Sequence, residues 1–428
     1  MNTFIISTCK FFTVEAFFQT VFLLKMNELR LLVVTTSFPL SHQSVSGVFI
    51  KKLTEYYPSN IKAFVLTPCD NTVKIEATTK NYTLFCFRYA PKKLQVIAHQ
   101  PGGIPVALRN NKSLLLLLPV FILAQLLACI RYSKRVDVIH ANWSINGFLA
   151  GIAAWITAKP VVTTIRGEDV NRAASSSLYR YFLGFCIRNN YKIVCVSEAI
   201  SIKIKKMYPQ FAKKIVFIPN GVDNDLLSYP IKYAHSSNNS PVSILTIGSL
   251  IPRKGVDTII QAIKQVKSNV VKLTIVGSGS EEDNLKKLVN RLQLNSVVSF
   301  KGSIPAAQIG QYLSSADIFI LASYSEGRPN VILEAFAAGI PVIASDIDGN
   351  RELVADGING LLFKAGSVQA LSAQIRKLLA NTDIMTSFAN EGRDFIIRNK
   401  LVWPETCSQY VKLFNDALSN TGKSQCAD

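Results

Sequence analysis

From Leu29 onward, short apolar runs rich in β-branched residues alternate with stretches of helical spacing. The clearest runs are LRLLVVTT, DVIH, PVVTTI, KIVCVS, KIVFIP, VSILTIG, KLTIVG, DIFILA and PVIAS. Strands without polar alternation are buried on both faces. Helices between them supply the cover, so the pattern predicts parallel sheets with right-handed crossovers. The runs are too many for one comfortable sheet, and 428 residues are long for one core. A turn-rich stretch from Ile218 to Pro241, IPNGVDNDLLSYPIKYAHSSNNSP, divides them into two series. The expected fold is therefore α/β, with two tandem Rossmann-like doubly wound parallel sheets and an interdomain cleft. Its expected parts are an N-terminal extension over 1–26, a first domain over 27–220, a second over 221–404 and a tail over 421–428. A C-terminal helix at about 405–420 is expected to pack back on the first domain. Ligands of such folds bind outside the strand carboxyl ends, which here face the cleft.

Composition narrows the class. Hydrophobic residues make up 49% and charged residues 18%, which excludes a disordered chain. The net charge of +19 is unevenly placed: Glu28 to Asn220 hold 25 Lys and Arg against 8 Asp and Glu, and Gly221 onward holds 20 against 19. The basic half suits a polyanionic partner, such as an anionic lipid surface or phosphorylated substrates; a basic solubilising surface is the plain alternative. No nucleic-acid-binding module is recognisable, and no nucleic-acid partner is expected. The eight cysteines contain no C-x-x-C pair, so neither a zinc site nor a redox motif is indicated, and a reduced cytosolic chain fits best.

Two segments imitate membrane signals. Residues 1–25 are apolar and aromatic, but charges interrupt them and no small-residue cleavage site follows. Met26 then opens a normal first strand, so the expectation is a start at Met26 or a dispensable extension, with an interfacial anchor as the alternative. Ser113 to Ile130, SLLLLLPVFILAQLLACI, holds no charge over roughly a membrane-spanning length. Pro119 and Gln125 interrupt it, and DVIH follows directly. A single span would put parts of one sheet on opposite sides of a membrane. A helix lying against the sheet or in the bilayer interface is expected.

Chemistry concentrates in two stretches of the second half. SEGRPNVILEAFAAGI, from Ser325 to Ile340, follows the run DIFILA and so lies at a strand's carboxyl end. Glu326 falls in the loop, Gly327 suits close approach of backbone to a ligand, and Asn330 is the expected helix cap. The helix start, with Val331, offers N–H groups to a diphosphate. Glu334, eight residues after Glu326, can accept from ribose hydroxyls. In IGSLIPRKGVDTII, Arg253 and Lys254 follow another strand, and Gly255 permits the turn into a helix. Two cations there can neutralise a leaving diphosphate.

Together these stretches resemble glycosyltransferase family 4, whose members have the two-domain GT-B fold and use nucleotide sugars. The paired glutamates of that family, separated by seven residues, are matched by Glu326 and Glu334, with the G-x-P-N-V-x-L-E-A run intact. Its K-G before a helix is matched by Lys254 and Gly255. Weaker likeness extends to SFPLSHQSVSGVF near Gly47, to GGIP at Gly102 to Pro105, and to DVIHANW around His140. The resemblance implies a retaining hexosyltransferase. Arg253 and Lys254 would hold the donor diphosphate, Glu326 the donor-sugar hydroxyls and Glu334 the ribose. His140, at the end of DVIH, would contact the sugar, and Gly47 would lie in the loop facing donor and acceptor. The implied catalytic set is His140, Glu326 and Lys254. Gly47, Arg253, Lys254, Glu326, Gly327, Asn330, Val331 and Glu334 form the donor site. Where many relatives carry Arg after the strand glycine, this chain has Ser249. Where many carry His before G-x-D, it has Arg166, an acceptor-side candidate that cannot act as a neutral base.

Asp346 and Asp348 form a D-x-D that binds metal in another glycosyltransferase fold; here capping aspartates in a turn are expected. GSGS at Gly277 lacks a third glycine and is not read as a dinucleotide site. No cofactor and no metal are expected, the nucleotide sugar being a substrate. The expected acceptor is lipid-linked or a growing envelope or exopolysaccharide glycan. The expected place is cytoplasmic, peripheral on the inner face of the cytoplasmic membrane. The alternatives are a glycosidase using Glu326 and Glu334 as its acid/base pair, which leaves Arg253 and Lys254 idle, and a non-enzymatic basic membrane-binding protein.

Overall fold

A computed structural model describes residues 28–40, 47–71, 81–99, 103–231, 241–266 and 270–425. The expectations for residues 1–26 lie outside the described residues. Among the described residues there are two sheets, and every pairing in both is parallel. The first contains β1 (Leu29–Val34), β2 (Ile61–Pro68), β3 (Tyr82–Phe87), β4 (Val138–Asn142), β5 (Val161–Ile165), β6 (Lys192–Cys195) and β7 (Ile215–Phe217). Their spatial order is β3-β2-β1-β4-β5-β6-β7. The second contains β8 (Val242–Ile247), β9 (Val271–Val276), β10 (Val298–Phe300), β11 (Ile318–Leu321), β12 (Val342–Ser345) and β13 (Gly360–Phe363), in the order β10-β9-β8-β11-β12-β13. In each sheet the order reverses once, between β1 and β4 and between β8 and β11. At such a reversal the flanking crossovers leave to opposite faces and open a crevice at the carboxyl edge.

Both faces of each sheet are covered, which is why the strands read as continuous apolar runs. One face of the first sheet packs Leu31, Val33, Val138 and Val162 against Ile50 and Leu53 of helix Val48–Glu55. The same cluster takes in Tyr410 and Phe414 of helix Trp403–Gln425, so the end of the chain completes the first domain's core. The chain crosses between domains twice, and the crossings touch. Val222 bridges Val402, and a Cβ on Gly221 would meet the Val402 carbonyl carbon at 2.2 Å.

The apolar segment forms a 3-10 stretch, Lys112–Leu117, and a helix, Leu118–Ser133, lying on the other face of the first sheet. Phe121, Gln125, Cys129 and Ser133 point inward at a spacing of four. Gln125 is satisfied inside by donating to Asn146 Oδ1 at 2.8 Å, and Ser133 Oγ donates to the Cys129 carbonyl at 2.6 Å. The strands on either side of the segment, β3 and β4, belong to one sheet.

Phe414 is fully buried against the first sheet. Phe414→Ala is expected to destabilise the protein by about 3–5 kcal/mol, the range for emptying an aromatic core site. Urea denaturation should show the loss in the unfolding of the first domain, although the residue is remote from it in sequence.

Candidate active site

The helix after β1 and the segments after β8 and β11 come together on one cleft between the domains. The approach of the β8 loop is set by a glycine. Gly255 has φ +59°, and a Cβ there would meet the Ala322 carbonyl oxygen, just past β11, at 2.3 Å. With that contact made, the 3-10 turn Pro252–Lys254 places its cations over the β11 loop. Lys254 Nζ donates to Glu326 Oε1 at 2.5 Å, and Ser323 Oγ donates to the same oxygen at 2.7 Å. Arg253 Nη1 stands 3.6 Å from Glu326 Oε2 and donates to the Ser325 carbonyl. Burial raises the cost of a charge on Glu326. Lys254 and Arg253, with the two hydrogen bonds, outweigh it and hold the carboxyl below its ordinary range.

Beside this group is a cleft of about 510 Å³ between the domains, lined among others by Phe49, Lys52, Ser249, Asn330, Val331 and Glu334. Glu334 Oε2 is buried without a hydrogen-bond partner. Burial, then the nearby Asp223 carboxylate, raise its pKa to about 7, and Lys52 offsets this in part. Lys52 itself pairs with Asp223 at 2.8 Å. A buried acceptor oxygen left unpartnered beside a cleft is equipped to take a hydroxyl donor from a ligand.

Several expectations are corrected in detail. Asn330 is not the cap of its helix: the helix runs Asn330–Ala337, Pro329 occupies the cap, and Asn330 Oδ1 accepts from Asn220 Nδ2 at 3.0 Å. Gly327 serves the interdomain contact. A Cβ there would meet the Arg166 carbonyl oxygen at 2.2 Å, so glycine is needed where the domains touch. His140 is not at a strand end but is the central residue of β4, with no exposed surface. Its Nε2 lies 2.9 Å from Thr164 Oγ1, and its ring packs against Tyr410 and Phe414. Burial, with Arg166 adding to it, lowers its pKa to about 3, so it is a neutral core side chain. The residue of β4 nearest the cleft is Asn142, which accepts from Arg166 Nη2 at 3.0 Å.

Arg166 ties the first domain's side of the cleft to Asn220, at the end of that domain. Its guanidinium lies 3.9 Å from the centroid of the Phe49 ring, and Nη1 donates to Asn220 Oδ1 at 3.3 Å. Gly47 heads helix Val48–Glu55 with φ +73°, packed so closely on Ser37 that a Cβ would meet its carbonyl oxygen at 2.2 Å. The D-x-D aspartates do not cap. Asp346 accepts from Arg351, and Asp348 accepts from Lys203 of the first domain at 2.7 Å. Gly277 of GSGS is a packing glycine against Gly248, and Ser278 joins Ser303 on the cleft wall at 2.7 Å.

The two halves of the sequence match two family descriptions: residues 75–226 match "Glycosyltransferase Family 4" and residues 231–395 match "Glycosyl transferases group 1". The chain belongs to glycosyltransferase family 4. An uncharacterized glycosyltransferase of Methanocaldococcus jannaschii is 27% identical over 289 residues, covering 67% of this chain and 77% of its own. The UDP-Gal:alpha-D-GlcNAc-diphosphoundecaprenol alpha-1,3-galactosyltransferase of Escherichia coli is 30% identical over 267 residues, covering 57% of this chain and 66% of its own. Among solved structures, Anabaena HepE in complex with UDP and glucose superposes with a TM-score of 0.69 at 21% identity, covering 91% of this chain and all of that one (100%). That likeness is one of fold, the GT-B arrangement.

In this glycosyltransferase Glu352, which no sequence motif singles out, joins the domains. Its carboxylate accepts from Ser197 Oγ at 2.6 Å, from the backbone N–H groups of Glu198 and Ala199 at 3.1 and 3.3 Å, and from Arg328 Nε at 3.0 Å. It thus satisfies the N-terminus of helix Glu198–Met207 across the domain boundary while holding the loop that carries Glu326. No local pattern marks such a residue, because its partners across the boundary lie about 155 positions away.

The raised pKa of Glu334 has a signed consequence. Between the ordinary carboxyl value and about 7 the folded ligand-free protein keeps a proton that the unfolded chain releases, so its stability falls as pH rises through that window. Glu334→Gln removes this dependence. Its thermal stability should equal the parent's near pH 5 and exceed it at pH 8, by a difference on the order of 2 kcal/mol. Parallel pH profiles for the two proteins would contradict the assignment.

Proposed function

We propose that this glycosyltransferase moves a sugar, with retention of anomeric configuration, from a nucleoside-diphosphate sugar to a lipid-linked or growing envelope or exopolysaccharide glycan. The observation that carries the reading is a cation pair anchored on Glu326, with Lys254 packed beside Gly248 of the cleft lining, next to a cleft whose wall holds the unpartnered Oε2 of Glu334. The cation pair suits a diphosphate. The ammonium of Lys254 has three donors and spends one on Glu326, which leaves two for phosphate oxygens. Glu334 takes the ribose hydroxyls, and their donation favours its ionised form. Asn330 and Val331, opening their helix at the cleft, face the same diphosphate. Support for a nucleotide donor also comes from HepE, whose structure holds UDP and glucose. Support for a lipid-diphosphate acceptor comes from the E. coli relative, named for a diphosphoundecaprenol substrate, and from the basic first half of the chain.

In the proposed step the bond between the sugar's anomeric carbon and the diphosphate oxygen breaks as the acceptor oxygen attacks from the same face. The acceptor's proton passes to the departing diphosphate. Lys254 and Arg253 stabilise the negative charge that develops there, in a site where their positions are already fixed. Glu326 holds Lys254 in place and receives the sugar's hydroxyls. Because two cations supply this charge, the proposal includes no metal. Its setting is the cytoplasmic side, peripheral on the inner face of the membrane.

Glu326→Gln and Lys254→Ala are each expected to cut transfer from a labelled nucleotide sugar by at least about 100-fold, as loss of a transition-state electrostatic contact does. Their melting should stay close to the parent's. Turnover near the parent level in either variant removes the assignment. Activity is expected to survive EDTA, and full loss restored by manganese would contradict the metal-free step.

A further inference from the structure

The geometry points to a membrane-docking face on the outer side of three neighbouring helices of the first domain, Leu118–Ser133, Ser144–Thr157 and Ser177–Asn189. It rests on the bilayer with the first of them lying in the interface plane. This rests on the reading of a lipid-linked acceptor and names the surface that would present it.

The helix Leu118–Ser133 and the turn before it divide cleanly in two. The inner side packs on the sheet through Leu114, Phe121, Gln125 and Cys129. The outer side carries Leu116 (81% exposed), Val120, Leu123 and Leu127 (58%), spaced by four, three and four residues in a single stripe. Continued at the same spacing, the stripe becomes Arg131 and Lys134, and Lys112 stands at its other end, all exposed. An apolar stripe closed at both ends by cations matches a headgroup layer over hydrocarbon.

The face continues sideways. Helix Ser144–Thr157 is tied to the first by the Gln125–Asn146 hydrogen bond and exposes Trp155 (66%) and Ile156. Trp155 packs on Phe185 and Phe148 on Phe182, which seats helix Ser177–Asn189 alongside, exposing Leu178 and Tyr181. Exposed Trp and Tyr beside cations are the side chains that sit at headgroup depth. None of the three helices contains an acidic residue, while they and their flanks carry Lys112, Arg131, Lys134, Arg135, Lys159, Arg180 and Arg188. That charge argues for an anionic surface and against a second copy of this chain, which would set cation against cation. These helices run antiparallel to their parallel strands, so the Leu116 end lies at the carboxyl edge, the edge that holds the cleft. A bilayer on this face would therefore reach the cleft's side of the domain, where a lipid-borne acceptor has the shortest path.

The test is cosedimentation of the full chain with vesicles of phosphatidylcholine alone or with about a quarter phosphatidylglycerol, at low and high salt. Binding is expected to the anionic vesicles and to fall with salt. The double variant Leu123→Gln/Leu127→Gln should weaken it at least about tenfold. Arg131→Gln/Lys134→Gln should weaken it and flatten its salt dependence. All four side chains are on the surface, so melting and calorimetric binding of UDP, GDP or ADP should match the parent. Absence of vesicle binding, or variants that bind as the parent does, overturns the docking face. So does concentration-dependent self-association that the Leu123/Leu127 variant abolishes. Vesicle binding by a protein that takes none of the three nucleotides would keep the face and remove the transferase reading, so the two fail separately.

Discussion

The glutamate loop is gripped from both domains, and the cleft depends on that grip. Gly327 lies against the Arg166 carbonyl with no room for a side chain, and Glu352 accepts four hydrogen bonds, from Arg328 in its own domain and from Ser197, Glu198 and Ala199 across the boundary. Each contact fixes the loop on one side of Glu326. Because Glu326 in turn anchors Lys254, one loop carries both the interdomain contact and the partner of that cation. A carboxylate taking two backbone amides at a helix start is a strong point for such a link, since it relieves donors that would otherwise be unsatisfied.

The electrostatics in and beside the cleft are divided between Glu334 on its wall and Glu326. Glu326 is buried with two cations and a hydroxyl and stays ionised. Glu334 is buried near another carboxylate, Asp223, and is held part-protonated near neutrality. The same residue type eight positions apart thus meets opposite surroundings. One carboxylate is held ionised by two cations, and the other keeps a buried oxygen without a partner.

Much of this was readable from the chain. The runs that announced themselves, such as β1, β8 and β11, are central strands covered on both faces and hence mostly apolar. The runs that did not, β2, β3, β10 and β13, stand at or next to sheet edges, where exposed or half-buried positions tolerate polar residues such as Lys62, Thr83 and Ser299. The loop glycines Gly255 and Gly327 were legible as special, but the partner of Gly327 was not, because a glycine tells only that something is close. His140 was misplaced for a related reason: DVIH reads as a finished strand, yet β4 runs on through Ala141 to Asn142, which puts the histidine in the core beneath Tyr410 and Phe414. Those aromatics are some 270 residues later, and no local pattern anticipates them. Glu352 and Arg328 belong to the same class of contact, fixed by tertiary placement alone.

The central claim is that Glu334 reads the ribose and Lys254 the diphosphate of one nucleotide in one cleft. Isothermal titration of UDP, GDP and ADP, each alongside its nucleoside monophosphate, separates the two roles. One base is expected to bind. Glu334→Gln should weaken its diphosphate and monophosphate alike, whereas Lys254→Ala should weaken the diphosphate far more than the monophosphate. Binding of none of the three, or equal losses for both phosphates in the Lys254→Ala protein, would contradict the account.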